Sequence, residues 1–256
     1  MQSTETDEHW NQRAKTVAHD HEVNLMDVFQ RELEFDAIEA HLRPEMRVLE
    51  VGCGNGFSTD RFRRHVQHID AFDKSHEMVE RARRSFGETN NRFIEDDVLA
   101  PKSISGPYDC VICVRVLINL AGTEAQRLAL RNMISLVRPA GVLLLAEGFT
   151  EGFRELSDLR QKMGLPPLEP AKINHYSSWA ELEPAITEHF DIESRWHLGM
   201  YDYLTRVLYP FIVGAENAKH NSNFADKCHQ LARVFNPDDL SSLSRLQGVV
   251  LRKRAL

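Results

Sequence analysis

The chain has 256 residues, 42% of them hydrophobic and 27% charged, with a formal net charge of -7. That length and apolar content suit one large α/β domain or a domain carrying sizeable insertions, and the acidic balance argues against the broad basic face that nucleic acids need. Four scattered cysteines offer no disulfide framework, no apolar run approaches the roughly 20 residues that cross a bilayer, and no signal-peptide pattern opens the sequence. A soluble protein of the cytoplasm is expected, with no membrane and no nucleic-acid partner.

In chain order, Met1–Glu8 are polar and acidic and read as frayed, with Trp10 the first anchor. His19, Asp20 and His21 look like metal ligands in isolation, but no further His or Cys at ligand spacing completes a site, so no metal is expected. From Val23 to Leu42 the apolar residues Leu25, Met26, Phe29, Leu33, Ile38 and Leu42 recur at helical spacing, and Pro44 ends the pattern. This predicts a helix packed on a sheet.

Arg47–Gly56, Arg-Val-Leu-Glu-Val-Gly-Cys-Gly-Asn-Gly, then joins the β-formers Val48, Leu49 and Val51 to Gly52, Gly54 and Gly56. Missing Cβ atoms let a backbone approach a ligand or take positive φ. The dinucleotide fingerprint is G-x-G-x-x-G, and here the third glycine comes one residue early. With Glu50 two residues before Gly52, this wording resembles motif I of the class I S-adenosylmethionine-dependent methyltransferases, whose cofactor carries no pyrophosphate. The resemblance covers roughly Val23–Glu147 plus the last strand. It implies an α/β fold with a Rossmann-like seven-stranded sheet flanked by helices, S-adenosyl-L-methionine as cofactor and S-adenosyl-L-homocysteine as product. Glu50, Gly52, Cys53 and Gly54 would border that cofactor. Residues 1–22 would form a lid in which Trp10-Asn11-Gln12-Arg13-Ala14 resembles the segment that folds over the cofactor. Arg13 would meet the methionine carboxylate, the ordinary alternative being an exposed arginine beside a packed tryptophan.

Downstream, Ser58–His65 reads as a short helix whose Arg61, Arg63, Arg64 and His65 form the densest basic patch, read as a solvated face. His68–Asp73 is a second strand ending in a carboxylate. Asp73 lies 17 positions after Gly56, close to the ~20 at which an acid closes on ribose hydroxyls, and its two oxygens suit two vicinal donors. The alternative is a helix-start acid. Lys74 follows within the cofactor region, and Ser75 can cap the helix carrying Met78, Val79 and Ala82. Asn91–Val98 supplies a third strand and an acidic turn, where the resemblance puts Asp97 on the adenine amino group and the Val98 amide on a ring nitrogen. Asp96 competes, since a one-residue slip exchanges the two acids.

Tyr108–Leu120 begins as a central buried strand. Cys110 and Cys113 spell C-x-x-C, but residues three apart on an extended strand point to opposite faces and cannot share a partner. Val114 and Arg115 would border the cofactor, and Asn119 either contacts the acceptor or caps the next helix, about Thr123–Val137. The turn Arg138-Pro139-Ala140-Gly141 leads into Val142–Glu147. Glu147 sits at the carboxyl edge, as a base, as an acceptor for a substrate hydroxyl, or bonded to backbone amides.

Beyond Gly148 two insertions, 151–187 and 200–245, interrupt a core of 23–150, 188–200 and 245–256, whose last strands are Phe190–Leu198 and Leu246–Leu251. They are read as a helical and aromatic cap that builds the acceptor pocket with Asn174, Tyr176, Tyr201 and Tyr203. His175, with a pKa ordinarily near neutrality, is the first choice of general base and Glu147 the second. The Asn-His-Tyr cluster also resembles a bacterial branch of small-molecule methyltransferases tied to sugar tailoring, which names no substrate. The reading is O-methylation of a small polar acceptor such as a sugar or natural product, by in-line displacement. Methylation of nitrogen or nucleic acid, a non-catalytic cofactor-binding protein and a nucleotide-dependent oxidoreductase are the alternatives, and a homodimer stays open.

Overall fold

The computed structural model describes residues 2–255, with side chains from residue 5. Among these, seven strands form one sheet: β1 (Arg47–Val51), β2 (His68–Asp73), β3 (Asn91–Glu95), β4 (Tyr108–Val114), β5 (Val137–Gly148), β6 (Phe190–His197) and β7 (Leu246–Lys253). Their order is β3-β2-β1-β4-β5-β7-β6. β1 to β5 run parallel, and β7 lies antiparallel between β5 and β6.

The central strands β4 and β5 carry unbroken apolar runs because helices cover both faces. On one face Val111, Leu143 and Leu145 pack with Leu130 and Met133 of the helix Thr123–Leu136 and with Leu182 and Ile186 of the helix Trp179–Thr187. On the other, Val48, Ile112 and Leu144 pack with Phe35 and Ile38 of the helix Val28–Glu39 and with Phe62. Cys113 belongs to the first cluster and Cys110 to the second, as strand alternation requires.

Several boundaries differ from the sequence reading. The segment read as frayed is a helix from Gln2 to Thr16, whose Trp10 and Ala14 pack with Val23 and Met78; Met1 lies outside the described residues. The helix expected from Val23 starts at Val28, because the Asp27 side chain accepts the Gln30 N–H and caps it there. The Arg138–Gly141 turn falls inside β5, since Val137 already pairs with Tyr108 before the register shifts. The basic patch is neutralised locally: Arg61 pairs with Glu32, Asp36 and Glu39, and Arg63 and Arg64 pair with Asp60. In the C-terminal half, the helix Thr150–Lys162 precedes β6, and after β6 a continuous helical segment, Gly199–Val213, is π-wound over Tyr203–Leu208. The helix Asn223–Val234 follows it. No helix of the described residues is long and apolar enough to cross a membrane.

Candidate functional site

The sheet order reverses between β1 and β4, and at the carboxyl ends of these strands the turn leaves a crevice. Gly52, Gly54 and Gly56 have φ of 68°, 53° and 78°, the left-handed region that costs a side chain most. A Cβ on Gly54 would sit 2.4 Å from the Asn24 side chain, so the 20–25 segment closes directly over the turn. Above it lies a cavity of about 630 Å³, within the range of small-molecule sites.

The acids of the β1–β3 side face this cavity. Asp73 accepts the Gly54 N–H on Oδ2 and the Ser75 N–H on Oδ1, both at 2.8 Å. Each oxygen keeps a lone pair for a further donor. Burial raises its pKa against the lowering effect of those amides. Asp96 and Asp97 divide their work clearly. Asp96 is a loop brace that accepts the N–H groups of Asp97, Lys102, Ser103 and Ile104. Asp97 gives one oxygen to the Leu99 N–H and holds the other 3.6 Å from Lys74 Nζ. Lys74 also pairs with Asp7 at 2.9 Å, tying the N-terminal helix to this rim. Glu50 is buried and takes the Ser58 and Thr59 hydroxyls, and burial pushes its pKa up to about 7. Arg13 lines the cavity, but its Nε and Nη2 donate to the carbonyls of Val23 and Glu22.

Val98, Val114, Arg115, Asn119, Asn174 and Tyr176 also line the cavity. Arg115 has a φ of 55°, unusual for a residue with a side chain, and Glu147 holds the loop that follows it. The Glu147 carboxylate accepts the N–H groups of Val116 and Leu117 at 2.8 Å and of Ile118 at 3.4 Å. Asn119 donates its Nδ2 to the Arg115 carbonyl at 2.6 Å, which orients its Oδ1; that oxygen is buried without a partner among the described residues.

Five sequence-stated site residues fall elsewhere. Glu147 is 1% exposed, does not line the cavity, and serves the loop amides instead of a substrate, with burial raising its pKa to about 7. His175 is also absent from the cavity wall: its N–H donates to the Ile118 carbonyl and its own carbonyl accepts from Gln126, so its main chain fastens the cap. Tyr201 is fully buried with its hydroxyl on Asp27 Oδ1 at 2.7 Å, and Tyr203 lies in the π-wound turn away from the lining. The Cys53 side chain points into the cluster of Ala71, Val79, Ala82 and Phe93. Aromatic density alone does not tell a pocket from a cap's own core.

Other lining residues had no role in the sequence reading. Asp27, Gln30, Arg31 and Glu34 form one stripe of the Val28–Glu39 helix and its cap, and Arg206, His220 and Arg245 come from the C-terminal half. The available signal was charge at positions where the helix should be apolar: Arg31 is 4% exposed and Glu34 1% exposed.

Residues 48–141 match the family model of a methyltransferase domain. Among curated relatives, a carboxy-S-adenosyl-L-methionine synthase of Aeromonas hydrophila is 29% identical over 117 residues, 43% of this chain and 46% of that protein. A malonyl-[acyl-carrier protein] O-methyltransferase of Erwinia pyrifoliae is 29% identical over 150 residues, 57% of this chain and 53% of that one. The chain spans about half the length of these relatives, or less. Among solved structures, the N-methyltransferase NodS of Bradyrhizobium japonicum, in complex with S-adenosyl-L-homocysteine, superposes with a TM-score of 0.60 at 13% identity, covering 98% of this chain and 99% of that one. At that identity the likeness concerns the fold.

Proposed function

We infer, from the methyltransferase-domain match over residues 48–141 and the cavity above it, that this protein moves a methyl group from S-adenosyl-L-methionine to a hydroxyl of a small molecule, releasing S-adenosyl-L-homocysteine and a proton that passes to solvent. The sulfonium of the donor already activates the methyl group, so the protein's task is to hold an oxygen lone pair in line with the S–CH3 bond. In this reading the two oxygens of Asp73 receive the ribose hydroxyls. Asp97 and the Val98 amide face the adenine, and the donor's amino-acid end runs over Gly52 and Gly54 toward Val114 and Arg115. Lys74, through Asp7, helps to close the N-terminal helix over the nucleoside.

The single observation behind a hydroxyl acceptor is Asn119 Oδ1, a buried acceptor on the cavity wall that lacks a donor among the described residues. An incoming O–H would supply one and orient its oxygen toward the sulfonium, with Asn174 and Tyr176 flanking it. Neither His175 nor Glu147 reaches the cavity, so neither is retained as the base.

Calorimetric titration of S-adenosyl-L-homocysteine into wild type and Asp73→Ala tests the donor half. Two hydrogen bonds to a charged acceptor contribute about 1.5–3 kcal/mol each, so the variant should bind at least ~100-fold more weakly. A loss under about 5-fold would remove Asp73 from the site. For the acceptor half, transfer of labelled methyl into the small-molecule fraction of a cell extract should fall in Asn119→Ala. Label recovered in nucleic acid would overturn the small-molecule reading.

A further inference from the structure

The far wall of the cavity is built from charge. Asp27, Gln30, Arg31 and Glu34, spaced i, i+3, i+4 and i+7, present one stripe of the Val28–Glu39 helix and its cap. Against this stripe the π-wound turn brings Arg206, and the residue ahead of β7 brings Arg245. Gln30 Oε1 accepts from both guanidiniums, at 3.4 and 3.0 Å, so the two cations lie side by side. Arg206 pairs with Asp27 at 2.7 Å, Arg245 with Asp202 at 3.0 Å, and Arg115 with Glu34 at 3.6 Å.

That leaves Arg31. Its guanidinium is held by the carbonyls of His21 and Leu25 and stacks 4.6 Å above the Phe57 ring, yet no carboxylate lies within 4.0 Å of it among the described residues. Arg31 Nε and Arg206 Nε are both buried without a hydrogen-bond partner. On this wall Arg115, Arg206 and Arg245 are each paired directly with a carboxylate, whereas Arg31 feels Glu32, Glu34 and Asp27 only beyond pairing distance. A buried cation without a directly paired counter-charge is destabilising, and a ligand carboxylate that pairs with it relieves that cost. One cation without a direct pair calls for a monoanion, and the planar fork of a guanidinium fits a carboxylate.

We propose that the acceptor is a small hydroxy acid whose carboxylate docks on Arg31 and the Arg206–Arg245 pair while its hydroxyl meets Asn119. This rests on the methyl-transfer reading above. It also accounts for the π-wound turn at this place, since such turns are frequent at functional sites and this one carries Arg206.

Matched acids and neutral analogues test it: glucuronate against glucose, and salicylate against salicylamide, each titrated into the protein saturated with S-adenosyl-L-homocysteine. At least one acid should bind ~10-fold or more tightly than its neutral partner, and that preference should vanish in Arg31→Gln and partly return in Arg31→Lys. Acids and neutral analogues binding alike, or not at all, would overturn the proposal while leaving the donor reading intact. Failure of wild type to bind S-adenosyl-L-homocysteine would sink the donor reading first. Two further results overturn the proposal: tighter binding of inorganic phosphate than of either acid, and an equal loss of S-adenosyl-L-homocysteine affinity in Arg31→Gln, which would give Arg31 to the donor's own carboxylate.

Discussion

Replacing Glu147 by Ala removes an acceptor that three main-chain N–H groups share. Val116 and Leu117 donate at 2.8 Å and Ile118 at 3.4 Å, so two strong bonds and one weak one are lost. Glu147 is 1% exposed and Leu117 is 1% exposed, which leaves water little access to the freed groups. Each buried donor left without a partner costs about 1–3 kcal/mol, giving a destabilisation of about 3–5 kcal/mol. Against a total of about 5–15 kcal/mol that is a large share. Urea unfolding followed by circular dichroism measures it as a lower midpoint at constant slope. The loop from Arg115 to Asn119 borders the cavity, so ligand affinity should fall as well. A stability change under about 1 kcal/mol would show that the loop finds other acceptors, and the role given to Glu147 would be wrong.

Two other perturbations follow from the same geometry. Gly56→Ala places a Cβ 2.7 Å from the Phe93 ring and 2.8 Å from Ala82 Cβ at a φ of 78°, so strain and overpacking together should cost about 3 kcal/mol, and an unchanged melting temperature would count against the turn as described. The buried carboxyls of Glu50 and Glu147, raised from 4.5 to about 7, make the folded chain hold protons that the unfolded chain releases between those values. Their contribution to stability is present below pH 4.5 and lost as pH rises to about 7. Wild type should therefore lose stability relative to Glu50→Gln between pH 5 and pH 7.5, by up to about 3 kcal/mol; a pH-independent difference would refute the assignment.

What could be read without coordinates was the part whose physics is local. Short apolar strand runs, Gly52, Gly54 and Gly56 after β1, and an acid at the tip of β2 are constraints felt within one βαβ unit, so sequence spacing alone carries them. The strand boundaries of β2 and the neighbourhood of Asp73 and Gly54 follow directly. Choosing between Asp96 and Asp97 needed the loop in place, because the decision turns on which acid captures the amides of residues 102 to 104.

The cap side of the cavity was decided by tertiary structure. Tyr201 and His175 carry the residue types of a binding site, but whether a residue meets a ligand or its own scaffold depends on partners far away in sequence: Asp27 for the Tyr201 hydroxyl, Ile118 for the His175 main chain. Arg31, Arg206 and Arg245 are separated by more than 200 positions from first to last and come to line one cavity only when the cap folds back over the helix at Val28–Glu39. A periodic pattern reports which face of a helix is buried, and it is silent on what it is buried against. The side of the cavity around Gly54 and Asp73 thus follows from short-range order, and the side around Arg31, Arg206 and Arg245 from long-range packing and charge that no local pattern encodes.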